Sequence, residues 1–186
     1  MFLFRRITKK DVQFRLVTGN EAFDELAPQG SLEKYIDSDT LKGGAFLTYL
    51  LLEERESTYH LLGLLRYRNA NKEEFIEDLN NTHTANDIRA NINSLLALNK
   101  YEIIYLSRIG VSQEYQEMRV SQIISNFFEF LIQRKKKDVI IYTKILENLT
   151  DVIGSQYRIL GKGRDKNWGN YFLISKIIEY NPKVKG

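Results

Sequence analysis

Residues 101–133, YEIIYLSRIGVSQEYQEMRVSQIISNFFEFLIQ, decide the fold, because a strand, a polar turn and a helix follow one another there without a gap. Residues 103–111 are apolar on both alternating faces, the pattern of a strand buried in the middle of a sheet. A polar loop, residues 112–118, follows, and then Val120, Ile123, Ile124, Phe127 and Leu131 recur at the spacing of a helix with one face in a core. Where such a strand runs into a helix, the first backbone N–H groups of the helix lack internal partners and point outward together at the positive end of its dipole. Phosphate groups bind well at such a place.

Working outward, residues 139–143 (VIIYT) form the next strand, and a helical crossover between two strands implies a parallel pair. The cations of residues 134–137 close the helix where its dipole is negative. Residues 149–153 suit a short helix, Gly161 and Gly163 bracket a basic loop that runs through Trp168, and residues 170–178 (NYFLISKII) make a last strand. On the N-terminal side, a basic arm with Arg5, Arg6, Lys9 and Lys10 precedes a first strand at residues 12–17, and residues 21–26 and 31–36 read as two short helical segments. Gly43 and Gly44 open a second strand, residues 45–52. A polar turn at residues 54–57 then joins it to a third, residues 58–68, as an antiparallel hairpin. Helical spacing returns at Phe75, Ile76 and Leu79 and again at Ile88, Ile92, Leu95 and Leu96, with residues 80–85 between the two helices.

Composition sets the frame for this order of elements. A chain of 186 residues with 43% hydrophobic and 12% aromatic content can bury one substantial core, most simply as a single domain spanning residues 1–186. It contains no cysteine, which excludes disulfides, thiolate metal sites and a cysteine nucleophile. Its apolar runs are too short for a signal peptide or a membrane span, so a soluble, cytoplasmic protein without membrane association is the expectation. Residues 1–93 carry 12 basic and 15 acidic side chains, against 15 and 9 in residues 94–186. The half with the phosphate-binding turn is thus the positive one, which suits an anionic ligand and equally a solvated basic surface.

The run from Val111 to Ser121 resembles the V-x-P-x-x-Q/R-x-x-G-x-G/A signature of the GNAT superfamily of acyl-CoA-dependent N-acyltransferases. Val111, Gln116 and the small Ser121 keep the spacing, whereas Gln113 stands for the proline and Arg119 for the first glycine. The order of elements is similar to the whole GNAT fold. The resemblance implies an α+β (mixed α/β) architecture, a mixed sheet with helices on both faces and a parallel strand-helix-strand unit at the cofactor site. It also implies fourth and fifth strands that splay to admit the pantetheine arm of acetyl-CoA. The pyrophosphate would lie on Gln116, Glu117, Met118, Arg119, Val120 and Ser121, and the backbone of Ile109, Gly110 and Val111 would hold the pantetheine amides and the thioester carbonyl.

Catalytic groups are sparser. The family's glutamate base, six residues before Val111, falls on Tyr105; Glu102 and Glu53 are strand-end carboxylates that could act through water or form salt bridges. Asn148 matches the family's asparagine after the fifth strand, and Tyr157 lies two residues beyond the place of its tyrosine acid, as a candidate proton donor to the thiolate or a packing tyrosine, with Tyr142 another source. His60 and His83 are too far apart in sequence, without further ligands at suitable spacing, for a metal site. Trp168 among Lys162, Arg164 and Lys166 could stack a base.

The resemblance therefore implies an N-acetyltransferase that passes an acetyl group from acetyl-CoA to a primary amine by direct attack. The acceptor stays open, with tRNA or a protein among the candidates, since residues 106–111 and 172–178 look somewhat like GNAT toxins that acetylate aminoacyl-tRNA. An oligomer is compatible with this reading. The alternative is a catalytically inactive GNAT-fold module that binds a protein or RNA partner.

Overall fold

The computed structural model describes residues 2–6, 46–55, 58–111, 115, 119–147, 156–167 and 169–181. Outside them lie the strand read at residues 12–17, the helical segments at 21–26 and 31–36, the short helix at 149–153, and Trp168.

Seven strands and three helices are described: β1 (Phe2–Arg6), β2 (Phe46–Arg55), β3 (Thr58–Ala70), α1 (Lys72–Asn80), α2 (Asn86–Ala97), β4 (Glu102–Val111), α3 (Val120–Gln133), β5 (Val139–Leu146), β6 (Arg158–Asp165) and β7 (Gly169–Ile178). The hydrogen-bonded strand order is β1-β2-β3-β4-β5-β7-β6, a mixed sheet in which β4 and β5 are parallel. Two elements depart from the sequence reading. The basic arm is a strand as far as Arg6, paired antiparallel with β2. The basic loop around Gly161 and Gly163 is a strand too, β6, paired antiparallel with β7. The β2–β3 hairpin also runs further into its polar end than expected, with Glu53 opposite His60 and Arg55 opposite Thr58.

The chain divides into two compact units, Met1–Arg68 with Arg108–Leu131, and Asn69–Ser107 with Ile132–Gly186. In the first, Leu50, Leu51, Leu52, Leu61, Leu62, Leu64 and Leu65 are all 3% exposed or less, so these neighbouring strands bury both faces. Helix α3 supplies Val120, Ile124 and Phe128 to this core. Aromatic rings join its strands to its helix, with Phe4 stacked on Phe127 at 3.7 Å between centroids and Tyr67 5.1 Å from Phe128.

In the second unit, α1 begins with a capping box. The Asn71 side chain accepts the Glu74 amide at 2.7 Å, and the Glu74 carboxylate accepts the Asn71 amide at 2.9 Å. Phe75 and Leu79 of α1 and Ile92 and Leu96 of α2 then pack with Ile103, Ile140, Tyr142, Leu160 and Leu173 from the strands. The ring of Tyr142, fully buried, stacks on Phe75 at 4.5 Å. Lys135, just beyond α3, pairs with Glu102 and donates to the Asn69 side chain at 3.2 Å, so Glu102 is a salt-bridge partner.

Glycine is required at one point of the first unit. A Cβ built on Gly63 would stand 2.5 Å from the Gly110 carbonyl oxygen and 2.7 Å from Cδ1 of Ile124, so β3 approaches the end of β4 only because Gly63 has no side chain. The obstacle is backbone and cannot swing aside. Gly63→Ala is expected to destabilise the fold by about 1–3 kcal/mol, read as a lower denaturant midpoint with an unchanged slope.

Candidate functional site

Parallel pairing joins β4 to β5 from Glu102 opposite Val139 to Tyr105 opposite Tyr142. Both strands then continue, β4 to Val111 and β5 to Leu146. Beyond Leu106 the burial of β4 falls away, and Ile109, Gly110 and Val111 are each only partly buried, although the sequence reads as core throughout. Tyr115, four residues beyond the end of β4, is 7% exposed.

Arg119 introduces α3. Its carbonyl accepts the amides of Gln122 at 3.0 Å and Ile123 at 3.2 Å. The amides of Val120 and Ser121 therefore belong to the set that a helix N-terminus leaves for an outside acceptor. No acidic residue stands in the first turn of α3 to neutralise it. Val120 is buried and fixes the turn to the core, whereas Arg119 and Ser121 are exposed.

Arg119, which stands where the resembled signature has its first glycine, has a backbone that suits glycine. Arg119 has φ +55°, the left-handed conformation that costs an L-residue with a side chain about 1–2 kcal/mol. The structure thus brings Arg119, Val120 and Ser121 together at the start of α3, in the same unit as Ile109, Gly110 and Val111. Gln116, Glu117, Met118 and Asn148 lie outside the described residues.

Tyr157 belongs to the second unit. It is half-buried immediately before β6, with its ring 5.9 Å from the Lys176 ammonium. Arg158, the next residue, lies opposite Ser175 of β7, and Ser175 lies opposite Tyr142 of β5. Two strand spacings, about 10 Å, therefore separate the start of β6 from β5, and the register does not bring Tyr157 beside that strand.

Asp78, Lys144 and Glu147, which the sequence reading did not single out, make ion pairs near the end of β5. Lys144 pairs with Asp78 of α1 at 2.5 Å, each side chain 21% exposed, and its ammonium lies 5.5 Å from the centre of the Tyr171 ring. Burial works against the charge of Lys144, but the hydrogen bond and charge of Asp78 outweigh it, with smaller help from Tyr105 and Tyr171, so its pKa is raised. Glu147 accepts from Lys162 at 2.5 Å and from the Asn170 side chain at 3.1 Å, and these bonds hold its carboxyl below the usual range. The pair partners are 66 and 15 residues apart in sequence, so no local motif announces them.

No protein-family model matches the sequence, and no curated protein does. Solved structures do. Arabidopsis thaliana NAA60 in complex with acetyl-CoA matches with a TM-score of 0.64 at 12% identity, over 96% of this chain and 99% of that one. The ribosomal-protein-S18-alanine N-acetyltransferase of Escherichia coli matches with a TM-score of 0.61 at 8% identity, over 100% and 99%. A GNAT-family protein from Desulfovibrio desulfuricans matches with a TM-score of 0.53 at 10% identity, over 96% and 99%. Likeness at such identities establishes architecture, and the architecture of this chain is that of the GNAT acetyltransferases.

Proposed function

We propose that the chain is an N-acetyltransferase that binds acetyl-CoA at the end of β4 and passes its acetyl group to a primary amine. The observation that carries this reading is the start of α3, a helix N-terminus without acidic residues in its first turn that comes next in the chain after the partly buried end of β4, in the fold of a protein solved with acetyl-CoA. These residues suit a pyrophosphate. The Val120 and Ser121 amides offer donors, Ser121 is small enough to let an oxygen approach, and Arg119 adds a cation. The backbone of Ile109, Gly110 and Val111 would hold the pantetheine arm, with Gln116, Glu117, Met118 and Asn148 completing the site.

When bound, acetyl-CoA supplies an activated acyl group as a thioester. The chain has no cysteine to take that group, so the amine attacks it directly. The protein's part is to orient the acyl carbonyl along the end of β4 and to keep the amine in place beside it. For the proton that the departing thiolate needs, Tyr157 remains the sequence's candidate although the register of β6 keeps it two strands from β5, and loss of acetyl transfer in Tyr157→Phe would support it.

Titration calorimetry with acetyl-CoA is expected to show saturable binding to one site, with a rise in melting temperature as the ligand exceeds its Kd. No heat and no shift at millimolar ligand would remove the reading, and steeply salt-dependent RNA binding in its place would favour the inactive module.

Arg119→Gly should separate two effects. Relief of the left-handed strain is expected to stabilise the protein by about 1 kcal/mol, a rise of about 2–4 °C in melting temperature for a chain of this size. Loss of the guanidinium should weaken acetyl-CoA binding about tenfold, as expected for a charge-assisted hydrogen bond. Tighter binding by the glycine variant would make Arg119 an obstruction instead of a phosphate ligand.

A further inference from the structure

Within the first unit, Gly63 of β3 touches both parts of the proposed acetyl-CoA site. A Cβ there would meet the Gly110 carbonyl oxygen at 2.5 Å and Cδ1 of Ile124 at 2.7 Å, inside the 3.0 Å below which a neighbour must shift. Gly110 stands between Ile109 and Val111 at the end of β4. Ile124 is fully buried and lies one helical turn after Val120, which directly follows Arg119 and is itself buried. The strand end and the first turn of α3 therefore lean on one missing side chain.

Around Gly63, β3 has little room to yield to a methyl group. Leu61, Leu62, Leu64 and Leu65 are all 3% exposed or less, and Gly63 is paired opposite Leu51 of β2. A close-packed interior passes a displacement on instead of absorbing it. The end of β4 is freer, since Ile109, Gly110 and Val111 are only partly buried. Cδ1 is the far end of the Ile124 side chain and can turn about its last torsion, whereas the carbonyl belongs to the backbone. A methyl group at residue 63 thus shifts the strand end while α3 keeps its place. The shift is about half an ångström or more, the tolerance within which a binding site has to be held.

We infer that Gly63, which lies outside the resembled signature, is a positioning residue for acetyl-CoA. Acting through the Gly110 carbonyl, it sets the distance between the strand end that holds the pantetheine arm and the helix start that holds the pyrophosphate. A molecule spanning both places binds tightly only when their separation matches its own length, whereas a molecule that occupies one place is indifferent to that separation. A methyl group at residue 63 therefore acts on the whole of acetyl-CoA and spares its halves. A glycine needed for packing alone produces no such difference. The inference rests on the proposed acyltransferase function, and its test separates the two.

Three ligands are titrated into the full chain and followed by NMR: acetyl-CoA, S-acetylpantetheine and ADP, the last two each offering one half. Gly63→Ala is expected to weaken acetyl-CoA binding about tenfold or more, and to change the affinity of either half by less than about twofold. Leu50→Val alters a fully buried residue that pairs with Leu64, on the face of β3 away from α3, and should cost stability while leaving all three affinities unchanged. Because Gly63→Ala is itself less stable, binding is measured at a temperature where circular dichroism shows every variant folded. Gly63→Ala/Ile124→Val removes Cδ1, one of the two obstacles, and should recover melting temperature without recovering acetyl-CoA binding. Unchanged acetyl-CoA affinity in Gly63→Ala, an equal loss for the halves, the same loss in Leu50→Val, recovery of binding in the double variant, or no binding of either half to the parent at millimolar concentration would overturn the assignment. Failure of acetyl-CoA to bind the parent chain would overturn the acyltransferase reading, whatever the variants do.

Discussion

Parallel pairing of β4 with β5 is the constraint on which the arrangement depends. Two adjacent parallel strands cannot be closed by a tight turn, and the chain must return along its own length before the second can begin. Helix α3 makes that return. In the paired segment Ile103, Ile104, Val139, Ile140, Ile141 and Tyr142 are all 7% exposed or less, which fixes the register, because a slip by one residue would exchange the two buried faces. At the amino end of this segment the Lys135–Glu102 pair ties the end of the crossover to the start of β4. With both ends of the return set, the first turn of α3 can only follow the carboxyl end of β4, and a helix N-terminus is presented there as a consequence of topology.

What the sequence reveals of this follows the strength of its periodic signals. The unit of β4, α3 and β5 is legible because burial on both faces leaves long apolar strands and a helix of clear spacing. The hairpin of β2 and β3 and the two helices before β4 are legible for the same reason. The edges are not. Phe2–Arg6 places two arginines in a short strand with one neighbour, and reads as a solvated arm. In β6, glycine and cations read as a loop, yet each glycine has a packing cause. A Cβ on Gly161 would collide with Thr82, His83 and Thr84, where β6 bridges to His83, and one on Gly163 would collide with Tyr171. Edge strands carry such charges and glycines because they have no second partner to satisfy. Of the proposed site, the positions of Ile109 to Val111 at the end of β4 and of Arg119 to Ser121 at the start of α3 follow from local order. The Asp78–Lys144 pair of the second unit is not legible, since only tertiary folding brings its two members together.

Among the described residues, three other than glycine have left-handed backbones, and they are not equivalent. Asn99 and Lys136, with φ of 51° and 53°, follow the ends of α2 and α3, where a left-handed residue commonly turns the chain out of a helix. Arg119 begins a helix, where an extended residue is usual. Its conformation therefore serves the turn from β4 and not the helix. Tyr115, four residues before Arg119, and Val120, directly after it, are both buried. A glycine would meet the same geometry at lower cost, so retaining arginine spends stability on a cation at the helix start.

The Asp78–Lys144 pair poses a similar question on the other unit. Half-buried ion pairs contribute little to stability after desolvation, and apolar residues of similar volume often replace them without loss. The surroundings would accept such residues, since Leu173, directly opposite Lys144, and Phe75, one turn before Asp78, belong to the apolar core. The fold alone gives no reason for a lysine there. Its charge is nevertheless secured, because Asp78 more than offsets the effect of burial.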